Sequence, residues 1–481
     1  MMKKKILVAN RGEIAVRIIR AIQELNYEAI AIYETPDRHS RHIRIANEAI
    51  WIGDGPRSDY LNIDTVIRAA RHSGADAIHP GYGFLAENPE FAKACEKNGI
   101  IFIGPSSTVI ENLGNKVKAR RIMADANIPM VPGTDNLLPG EDGLNQALHF
   151  AAKVGYPVML KATSGGGGRG IRQVENDEEL REQYNVARSE AKAAFNDDSV
   201  YMEKVVVNPR HIEVQIIADK TGKTVHLGTR DCSIQRRNQK LVEIAPGFID
   251  DPVLLDNICQ TAVRAAEAAD YFNAGTVEFL LDHDNSFYFM EINTRVQVEH
   301  TVTEMVTGID IVRTQIKLAL GKELLFSQED VQVRGYAVEM RINAEDPQND
   351  FMPEGGKTVS VYQSPGGYGV RLDGFTYQGY TVPEVYDSLL VKLTVHGWSW
   401  NETVDRLKRC LNNFVITGPK TTIPFYLNLI KDPDFRRGNF DTSFLDNHEY
   451  LFEYEEEKSE GDKLARLIAE IHYKGENSYA A

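Results

Sequence analysis

The first hundred residues alternate between short apolar runs and longer amphipathic runs, and this order restricts the possible folds more than any other feature of the chain. Two amphipathic runs, GEIAVRIIRAIQEL (12–25) and IDTVIRAARHSGA (63–75), have helical spacing. The short apolar runs are typical of strands, and they are KKILVA (4–9), EAIAIY (28–33), AIHPGYG (77–83) and IIFIGPS (100–106). Strands that alternate with helices predict a parallel sheet covered by helices.

The loop after the first predicted strand shows whether this sheet carries a dinucleotide site. It reads NRGEIA (10–15), which lacks the GxGxxG spacing that lets a backbone approach a pyrophosphate closely. A parallel sheet alone does not indicate a nucleotide. We therefore infer no dinucleotide from this region.

Length and composition limit the class of protein. At 481 residues the chain exceeds one ordinary core and is expected to form roughly two to four domains. Its 42% hydrophobic and 26% charged residues are typical of a soluble globular protein. The formal net charge of −15 argues against nucleic acid as the main partner, because that binding depends on clustered Lys and Arg. Local anion sites are compatible with this charge.

The N-terminus and the cysteines indicate the compartment. The apolar run of MMKKKILVAN (1–10) is too short for a signal peptide or a membrane span, so a cytoplasmic protein without a membrane partner is predicted. The cysteines are far apart and form no CxxC pair, which favours buried thiols over a zinc cluster or a disulfide framework. They are Cys95, Cys232, Cys259 and Cys410.

Several further stretches follow the N-terminal unit. A helical stretch at about 106–126 leads into a segment rich in Pro and Gly at 128–143, which is typical of a linker. Strands and helices are mixed up to about residue 330, and the region 331–447 has β-runs and one late helix. The last residues carry an acidic run, predicted to be a solvated linker, and then a helix at 463–473.

Four consecutive glycines separate two apolar runs in YPVMLKATSGGGGRGIRQV (156–174). A glycine loop between two strands can bring its amides close to an anion, as the flap over the phosphates does in kinases. Lys161, at the end of the first run, would place a cation on the same phosphates. The segment is no Walker loop, because Gly170 is followed by Ile171 and Arg172 instead of Lys and Ser or Thr. A flexible turn explains the glycines, taken alone, equally well.

The segment TVEFLLDHDNSFYFMEIN (276–293) is predicted to be a hairpin with Asp284 and Asn285 at its turn. If the loop has two residues, Glu278 lies directly opposite Glu291. Like charges in such a pair destabilise a hairpin unless a divalent cation lies between them. Mg²⁺ prefers one or two carboxylates together with substrate phosphates, and Asn293 lies on the same face. The predicted ligands of Mg²⁺, or of Mn²⁺, are therefore Glu278, Glu291 and Asn293.

Polar side chains occupy every second position of EINTRVQVEH (291–300). Alternate side chains of a strand share a face, so a single strand is predicted whose one face carries Glu291, Asn293, Arg295, Gln297 and Glu299. A face turned to solvent would also explain the pattern. If the metal lies at the start of this strand, Arg295 is suited to bind a planar oxyanion and Glu299 to act as a general base. Such a site beside ATP indicates phosphorylation of a small acid.

The motifs of the whole chain, taken together, resemble one family. In order they are NRGEIAVRIIRA (10–21), HPGYGFLAEN (79–88), GGGGRG (165–170), CSIQRRNQK (232–240), MEINTRVQVEH (290–300) and EMRINAEDP (339–347). A single glycine run is weak support, but this ordered set is highly specific and resembles biotin carboxylase of the ATP-grasp superfamily. The resemblance runs from about Lys4 to Asn447.

The resemblance implies a multidomain fold of the α/β and α+β classes. The implied parts are a Rossmann-like pre-ATP-grasp domain at 1–114, an ATP-grasp core at 115–330 with a mobile glycine-rich lid at about 133–204, a biotin carboxylase C-terminal domain at 331–447, and an acidic linker and helix at 448–481. The family uses ATP and bicarbonate, with Mg²⁺ or Mn²⁺, to carboxylate biotin through carboxyphosphate. This is the first half-reaction of acetyl-CoA carboxylase or pyruvate carboxylase.

The resemblance also implies a role for each matching residue. The implied catalytic residues are Lys240, Arg295, Glu299 as the base and Arg341. The implied ATP-binding residues are Lys116, Lys161, Gly166, Gly167, Gly168, Glu203, Lys204, Val206, His211, Gln235, Glu278 and Glu291. The implied bicarbonate pocket consists of Lys240, Arg295, Gln297 and Val298. Biotin is expected next to Tyr82, Gly83 and Arg341.

The resemblance also implies partners. The sequence has no AMKM biotinylation motif, so biotin is expected on a separate biotin carboxyl carrier protein or a biotinylated carboxyltransferase subunit. The family further implies a homodimer. Three positions depart from the commonest family pattern: Asn238 replaces His, which affects one nucleotide contact, Ile244 replaces an acidic residue, and Thr301 replaces Pro.

Two alternative functions stay open at this point. Another ATP-grasp ligase, such as half of a carbamoyl-phosphate synthetase, also phosphorylates bicarbonate, but EMRINAEDP and the biotin-side residues favour biotin carboxylase. A catalytically silent nucleotide-binding or scaffolding subunit is disfavoured by the intact set Lys240, Glu278, Glu291, Arg295 and Glu299. The final acceptor, which is acetyl-CoA, propionyl-CoA, pyruvate or another 2-oxo acid, is not specified by this sequence.

Overall fold

The computed structural model describes residues 3–163 and 170–454. The predicted helix at 463–473 and the loop glycines Gly166, Gly167 and Gly168 lie outside the described residues. Within the described ranges, no helix has both the length and the apolar character needed to cross a membrane. The four cysteines are free and buried, as predicted.

The N-terminal region folds as the predicted parallel sheet. Its strands are β1 (Lys5–Val8), β2 (Glu28–Glu34), β3 (Glu48–Gly53), β4 (Ala77–His79) and β5 (Ile101–Phe102), in the order β3-β2-β1-β4-β5. The accompanying helices are α1 (Gly12–Glu24), α2 (Arg41–Ile45), α3 (Ile63–Ser73) and α4 (Pro89–Lys97). Helix α1 buries Ile14, Ile18 and Ile22, which lie on one face because they are four residues apart. This amphipathic face explains why the sequence pattern was sufficient to predict the helix.

The predicted helical stretch at about 106–126 consists of two helices, α5 (Ser107–Gly114) and α6 (Lys116–Asp125). Asn115 separates them, and its side chain accepts a hydrogen bond from the Lys118 amide in the first turn of α6. An Asn side chain at this position satisfies an amide that has no partner within the helix, so a new helix begins here. The break places Lys116 at the N-terminus of α6.

Residues 140–204 form a small layer of two helices on a sheet. Helices α7 (Gly140–Val154) and α8 (Asp177–Phe195) pack on β6 (Val158–Ala162), β7 (Ile171–Val174) and β8 (Val200–Lys204), which form an antiparallel sheet in the order β7-β6-β8. Strands β6 and β7 flank the glycine loop, and Lys161 pairs with Ile171 next to it. The prediction of a strand on each side of the loop is confirmed.

The remaining elements up to residue 319 alternate between hairpins and helices. The strands are β9 (Arg210–Ala218), β10 (Thr224–Asp231), β11 (Gln235–Arg236), β12 (Gln239–Lys240), β13 (Val242–Ala245), β14 (Asn273–Leu281) and β15 (Phe287–Asn293). The helices are α9 (Pro252–Ala268), α10 (His300–Thr307) and α11 (Ile311–Ala319).

The C-terminal region adds short strands around one long hairpin. Its strands are β16 (Tyr336–Asn343), β17 (Glu345–Asp346), β18 (Met352–Pro353), β19 (Val361–Gln363), β20 (Val370–Gly374), β21 (Leu389–Gly397) and β22 (Val415–Thr417). Its helices are α12 (Trp400–Asn413), α13 (Ile423–Leu429) and α14 (Pro433–Arg437). Short 3₁₀ helices lie at Thr35–Asp37, Gln328–Asp330, Pro347–Asn349 and Glu449–Phe452.

One eight-stranded antiparallel sheet, which we call the long sheet, runs in the order β15-β14-β9-β10-β13-β16-β21-β20. It crosses the predicted boundary between the second and third domains, because β13 pairs with β16. On β16, Val338, Met340 and Ile342 belong to an apolar core that α12 covers, whereas Glu339 and Arg341 have the opposite orientation. The mixed α/β multidomain prediction is confirmed, and the exact bounds of the domains stay predictions.

Candidate active site

A cleft of about 1010 Å³ opens between loops of the N-terminal region and the strands that carry charged side chains. Tyr82 and Gly83 line it on the N-terminal side, and Lys240, Val298 and Arg341 line the other wall. All five are predicted site residues, and the fold brings them together from distant parts of the chain. Further cations on the walls are Arg11, Arg57, Arg236 and Arg237.

The hairpin of β14 and β15 has the predicted pairing but not the predicted turn. Glu278 lies opposite Glu291, as expected. The Asp282 amide donates to the Ser286 carbonyl (2.8 Å), which leaves three loop residues instead of two, so the two-residue loop is wrong. The register shifts next to Glu278, where Met290 is the extra residue of a β-bulge. This bulge compensates for the longer loop and restores the pairing of the two carboxylates.

The residues that follow Asn293 are in the site but not on a strand. β15 ends at Asn293, and residues 294–299 form a bend and a turn before α10, so the single-strand prediction is wrong. The amides of Asn293 and Gln297 both donate to Oε1 of Glu278, at 2.7 and 3.0 Å. On a straight strand these residues would be ~13 Å apart, too far to share one oxygen. Asn293, Gln297 and Glu299 are also buried, which rules out the solvent-facing alternative.

Lys240 is the point at which three buried carboxylates meet. Its Nζ is 3.1 Å from Glu278 and 2.8 Å from Glu299, and it also donates to Glu213. Burial alone would lower the pKa of this ammonium group, but the three carboxylates outweigh burial and raise the pKa well above its usual range. Lys240 therefore keeps its positive charge at every pH at which the protein is expected to work.

Glu299 is held in its ionised form by its neighbours. Its side chain is 1% exposed, with Oε1 2.8 Å from Lys240 and Oε2 3.3 Å from Arg341. Burial and the charge of Glu213 raise the pKa of Glu299, but Lys240, Arg341 and Arg230 reverse both effects and lower it overall. A carboxylate that stays ionised next to the cleft is able to accept a proton there.

Arg341 joins Glu299 to a second buried carboxylate. Its Nε donates to Glu243 at 2.7 Å, and its Nη2 donates to Glu299 at 3.3 Å. Burial raises the pKa of Glu243 to about 7, although Arg341 opposes this shift, and the Oε2 atom of Glu243 has no partner among the described residues. Two carboxylates, those of Glu243 and Glu299, therefore fix the orientation of the Arg341 guanidinium, which lines the cleft.

Arg295 is fixed by three side-chain oxygen acceptors. Its Nε donates to Glu87 (2.8 Å), its Nη1 to Gln297 (2.7 Å) and its Nη2 to Asn293 (3.2 Å). Glu87 lies in the N-terminal region, so Arg295 connects that region to the turn before Glu299. The guanidinium of Arg295 therefore contacts the same two side-chain amides that donate to Glu278. A planar anion that is bound by this guanidinium would lie next to these amides.

The predicted nucleotide residues form a second cluster. Glu203, which is 8% exposed, accepts from Lys161 and Arg120, both at 2.5 Å. Burial lowers the pKa of Lys116 and the charge of Lys161 adds to this, whereas Glu291 has the opposite effect. The positive charge of Lys161 therefore acts on Lys116.

The other nucleotide residues have structural partners. Lys204 donates to the carbonyls of Gly155 and Tyr156 (3.1 and 2.8 Å), and Val206 is half-buried in the loop after β8. His211 lies between Gln235, 2.7 Å from its Nδ1, and Glu278, 2.8 Å from its Nε2. The imidazole ring thus orients one of the two paired carboxylates.

Glu278 and Glu291 fit the carboxylate part of a magnesium site. Glu291 accepts no hydrogen bond from any described residue, and burial, followed by the charge of Glu278, raises its pKa. A divalent cation between these two groups would offset their repulsion. The side-chain oxygen of Asn293 already accepts from the Arg295 guanidinium at 3.2 Å, so only its second lone pair would be left for a metal.

The three departures from the family pattern each have a local structural explanation. Arg237 and Asn238 have φ angles of 49° and 63° at the turn between β11 and β12, and Asn is one of the residues that adopt this left-handed conformation readily. Ile244 is 1% exposed within the apolar core that α12 covers. The Thr301 hydroxyl donates to Glu339 and lies 2.8 Å from the Thr394 hydroxyl, contacts that a proline cannot make.

The buried carboxyl of Glu339 predicts a pH dependence of stability. Burial raises its pKa to about 8, with the charge of Lys392 opposing, so the folded state keeps a proton that the unfolded chain releases near pH 4. The contribution of Glu339 to the free energy of unfolding is fully present at low pH and is lost as the pH rises to about 8. We expect Glu339→Gln, which keeps a partner for Thr301, to raise Tm over wild type by ~2 °C or more at pH 8.5 and less at pH 5.5. Equal differences at both pH values in a thermal-denaturation series would contradict this assignment.

The sequence did not point to several carboxylates that hold the cations of this site. Glu213 is 0% exposed between Lys240 and Arg230, and Glu243 and Glu87 hold Arg341 and Arg295. One signal was present: RHIEVQIIAD (210–219) places polar side chains at alternate positions of a strand whose other side chains are apolar. Such a strand in the middle of a sheet has a buried polar face, and β9 lies between β10 and β14.

Comparison with known families decides between the predicted family and its rival. A family model described as "Carbamoyl-phosphate synthase L chain, ATP binding domain" matches residues 115–326. The models "Biotin carboxylase, N-terminal domain" and "Biotin carboxylase C-terminal domain" match residues 2–110 and 339–447. The chain belongs to the biotin carboxylase family. The predicted family and the predicted ATP-grasp fold are thereby confirmed, because the rival does not explain the two flanking matches.

Similar proteins extend the biotin carboxylase match over nearly the whole chain. The 2-oxoglutarate carboxylase small subunit of Hydrogenobacter thermophilus is 48% identical, over 98% of this chain and 99% of that protein. Biotin carboxylase 1 of Bacillus subtilis is 47% identical, over 94% of this chain and 100% of that protein. A crystal structure of the biotin carboxylase domain dimer of H. thermophilus 2-oxoglutarate carboxylase, with MgADP, ADP and bicarbonate, is 48% identical with a TM-score of 0.90, over 95% of this chain and 100% of that one.

Proposed function

We propose that the chain carboxylates biotin with ATP and bicarbonate, through carboxyphosphate, and releases ADP and phosphate. The observation that carries this proposal is that Lys240 and Arg341, which line the cleft, both contact the buried Glu299 carboxylate. A base with a cation on each side is suited to hold and deprotonate a small anion. The bound MgADP and bicarbonate named for the H. thermophilus domain support the same substrates here.

The first step forms carboxyphosphate. Glu299 takes the bicarbonate proton, and a bicarbonate oxygen forms a bond to the γ-phosphorus of ATP while the bond to ADP breaks. Lys240 and Arg295 attract and orient the anion, and the amide groups of Gln297 and Val298 complete its pocket. Glu278 and Glu291, with Asn293 beside them, would hold Mg²⁺ or Mn²⁺, which would supply neutralising charge for the phosphates.

The second step uses the biotin side of the cleft. Carboxyphosphate separates into CO₂ and phosphate, the phosphate takes the proton of the ureido nitrogen of biotin, and this nitrogen bonds to CO₂. Arg341 stabilises the negative charge that develops on the ureido oxygen. Tyr82 and Gly83 form the opposite wall, and apart from the chain neighbours of Gly83 no atom of the described residues lies within 4 Å of the position that a Cβ atom would occupy there, so the wall is open at this point.

The nucleotide is proposed to lie between the lid and the paired carboxylates. Lys116 and Lys161 would bind the phosphates together with the glycine loop, Glu203, Lys204 and Val206 would surround the adenine, and His211 and Gln235 would face the ribose. The proposed domain bounds are 1–114, 115–330 with a lid at about 133–204, 331–447 and 448–481. The contact of Lys161 with Glu203, next to the glycine loop, supports this placement of the phosphates.

The first test measures ADP release from Mg·ATP by the wild-type chain, with and without bicarbonate and free biotin. Turnover that requires bicarbonate and is stimulated by biotin supports the proposed reaction. Turnover that requires bicarbonate but ignores biotin would favour another ATP-grasp ligase. No turnover, even with biotinylated carrier domains added, would favour a catalytically silent subunit.

Glu291→Gln is expected to separate stability from metal binding. The variant loses a repulsive charge opposite Glu278, so its Tm without metal should equal or exceed that of wild type. The additional stabilisation that Mg²⁺ gives to the ADP-bound wild type, measured as the difference in Tm with and without Mg²⁺, should decrease by at least half. Glu90→Gln, at an exposed position on α4, is the control and should behave as wild type. A full magnesium effect in Glu291→Gln would argue against this ligand.

The proposed partners are a biotin carboxyl carrier protein or a biotinylated carboxyltransferase subunit, and a second copy of this chain. A relative of almost the same extent is named a small subunit, and the H. thermophilus domain is described as a dimer, which supports both proposals. Transfer of labelled bicarbonate to a biotinylated carrier domain, and the mass of the chain in solution, test them separately. A cytoplasmic location stays a prediction, and the separate carboxyltransferase is proposed to choose the final acceptor.

A further inference from the structure

Lys392 is a buried lysine to which the reaction described above assigns no role. It lies on β21, where it pairs with Arg341 of β16, and its side chain is 0% exposed. Its Nζ donates to the carbonyl oxygen of Val298 at 2.5 Å and lies 3.2 Å from Oε1 of Glu13. A buried ammonium group with these partners connects the long sheet, the turn before Glu299 and the N-terminal region.

Glu13 extends this connection to the biotin side. It lies in the first turn of α1 and is 3% exposed. Its Oε1 accepts the Tyr82 hydroxyl in addition to the Lys392 contact, whereas its Oε2 has no partner among the described residues. Burial raises the pKa of Glu13, and the charge of Lys392 opposes this. Tyr82 and Val298 thus share one buried ion pair, although they belong to opposite walls of the cleft.

The turn at 294–299 needs such a contact, because it belongs to no ladder of the sheet. The Val298 carbonyl and the Glu299 amide belong to one peptide group, so fixing the carbonyl also fixes the rotation of the backbone from which Glu299 extends. A hydrogen bond from a charged donor in a buried site is stronger and shorter than a neutral one. Removing the lysine would leave a buried carbonyl and the Glu13 carboxylate without their partner.

We propose that Lys392 is a positioning residue that fixes the Val298–Glu299 peptide and, through Glu13, joins the bicarbonate pocket to the Tyr82 wall. The inference rests on the proposed function, since it concerns the base and the anion pocket of that reaction. A positioning role and a purely structural role of Lys392 would affect different measured quantities. A structural ion pair stabilises the whole fold, whereas a positioning residue changes the use of bicarbonate more than the use of ATP.

The test uses the full chain with Lys392→Met, which keeps the length of the side chain without its charge. We expect kcat/KM for bicarbonate to fall ~10- to 100-fold, as for the loss of a hydrogen bond to a charged group. KM for Mg·ATP should stay within about twofold of wild type, because the nucleotide cluster has no contact with Lys392 among the described residues. Lys392→Arg, which keeps the charge, should recover part of the loss.

A control variant that is only destabilised distinguishes a positioning role of Lys392 from a general loss of stability. Leu407 is 0% exposed in the apolar core that α12 covers, and Leu407→Ala should lower Tm without changing KM for bicarbonate. If Lys392→Met behaves like this control, with a lower Tm and an unchanged kcat/KM for bicarbonate, the positioning role is overturned. A wild type that shows no bicarbonate-dependent ATP hydrolysis would instead overturn the proposed function, so the two failures are distinguishable.

Glu13→Gln tests the connection without depending on the folding of the Lys392 variant. This change keeps the shape and the contact with Tyr82 but removes the charge that pairs with Lys392. We expect KM for biotin to rise at least ~5-fold and KM for bicarbonate to rise by a smaller factor. Unchanged constants for both substrates in a folded Glu13→Gln variant would overturn the proposed link between the two walls.

Discussion

Glu299→Gln is expected to lower kcat for bicarbonate-dependent ADP release by ~10³-fold, which is typical of removing a general base. The amide cannot accept the bicarbonate proton, and its oxygen is a weaker partner for the two cations. Lys240 would still pair with Glu213 and Glu278, so the site should keep its shape. The measurement is ADP release at saturating Mg·ATP, bicarbonate and biotin, together with Tm to show that the variant is folded.

The control for this variant is Glu111→Gln, which changes an exposed carboxylate that pairs with Lys118. It should keep the wild-type rate. If Glu299→Gln retained more than about a tenth of the wild-type kcat, Glu299 would not be the base. Glu243 would then be the next residue to test, because Arg341 also holds it beside the cleft.

Lys240→Met is expected to have the largest effect on stability. Three buried carboxylates, those of Glu213, Glu278 and Glu299, would lose their shared cation. Removing one partner of a buried ion pair costs ~3–5 kcal/mol, because the remaining charge is left uncompensated. We expect Tm to fall by ~5 °C or more and bicarbonate-dependent turnover to be lost. Lys118→Met, at an exposed pair, should shift Tm by less than ~1 °C.

The loss of stability in Lys240→Met should depend on pH. In wild type, Lys240 lowers the pKa of Glu278 and Glu299, so their stabilising contribution is present above the ordinary Glu pKa and is lost only as the pH falls through their lower folded values. Without the lysine, burial and mutual repulsion raise these pKa values, so the folded state of the variant is most stable when the carboxyl groups are protonated. The Tm of the variant should therefore lie further below that of wild type at pH 8 than at pH 5.5. A loss that is equal at both pH values would contradict the role of these charges.

Patterns within short stretches of sequence predicted the local elements well. The helix at 12–25 and the strands on each side of the glycine loop formed as expected, because apolar spacing decides which face of such an element is buried. The pairing of Glu278 with Glu291 was also correct, although a β-bulge and a longer loop compensate for each other. A register inferred from loop length alone would have failed without the bulge at Met290.

The alternation in EINTRVQVEH shows where a periodic pattern misleads. The spacing matches a strand, yet the chain bends after Asn293, because two amides must reach the same oxygen of Glu278. These hydrogen bonds join residues from different strands and turns, and no local spacing encodes them. Gln297 and Glu299 still contact the charged cluster, through Glu278 and Lys240, but by a different geometry, and their roles stay predictions.

The motifs and the apolar spacing of the chain were sufficient to predict the family and most of the strands and helices. The partners of the charged side chains became known only from the three-dimensional fold: Glu213, Glu278 and Glu299 share Lys240, Glu243 accepts from Arg341, and Lys392 donates to the Val298 carbonyl in the turn before Glu299. The physical reason is that the pKa and orientation of a buried charge depend on the net field of neighbours within a few ångströms. Those neighbours come from strands that are adjacent in the sheet but distant in the chain.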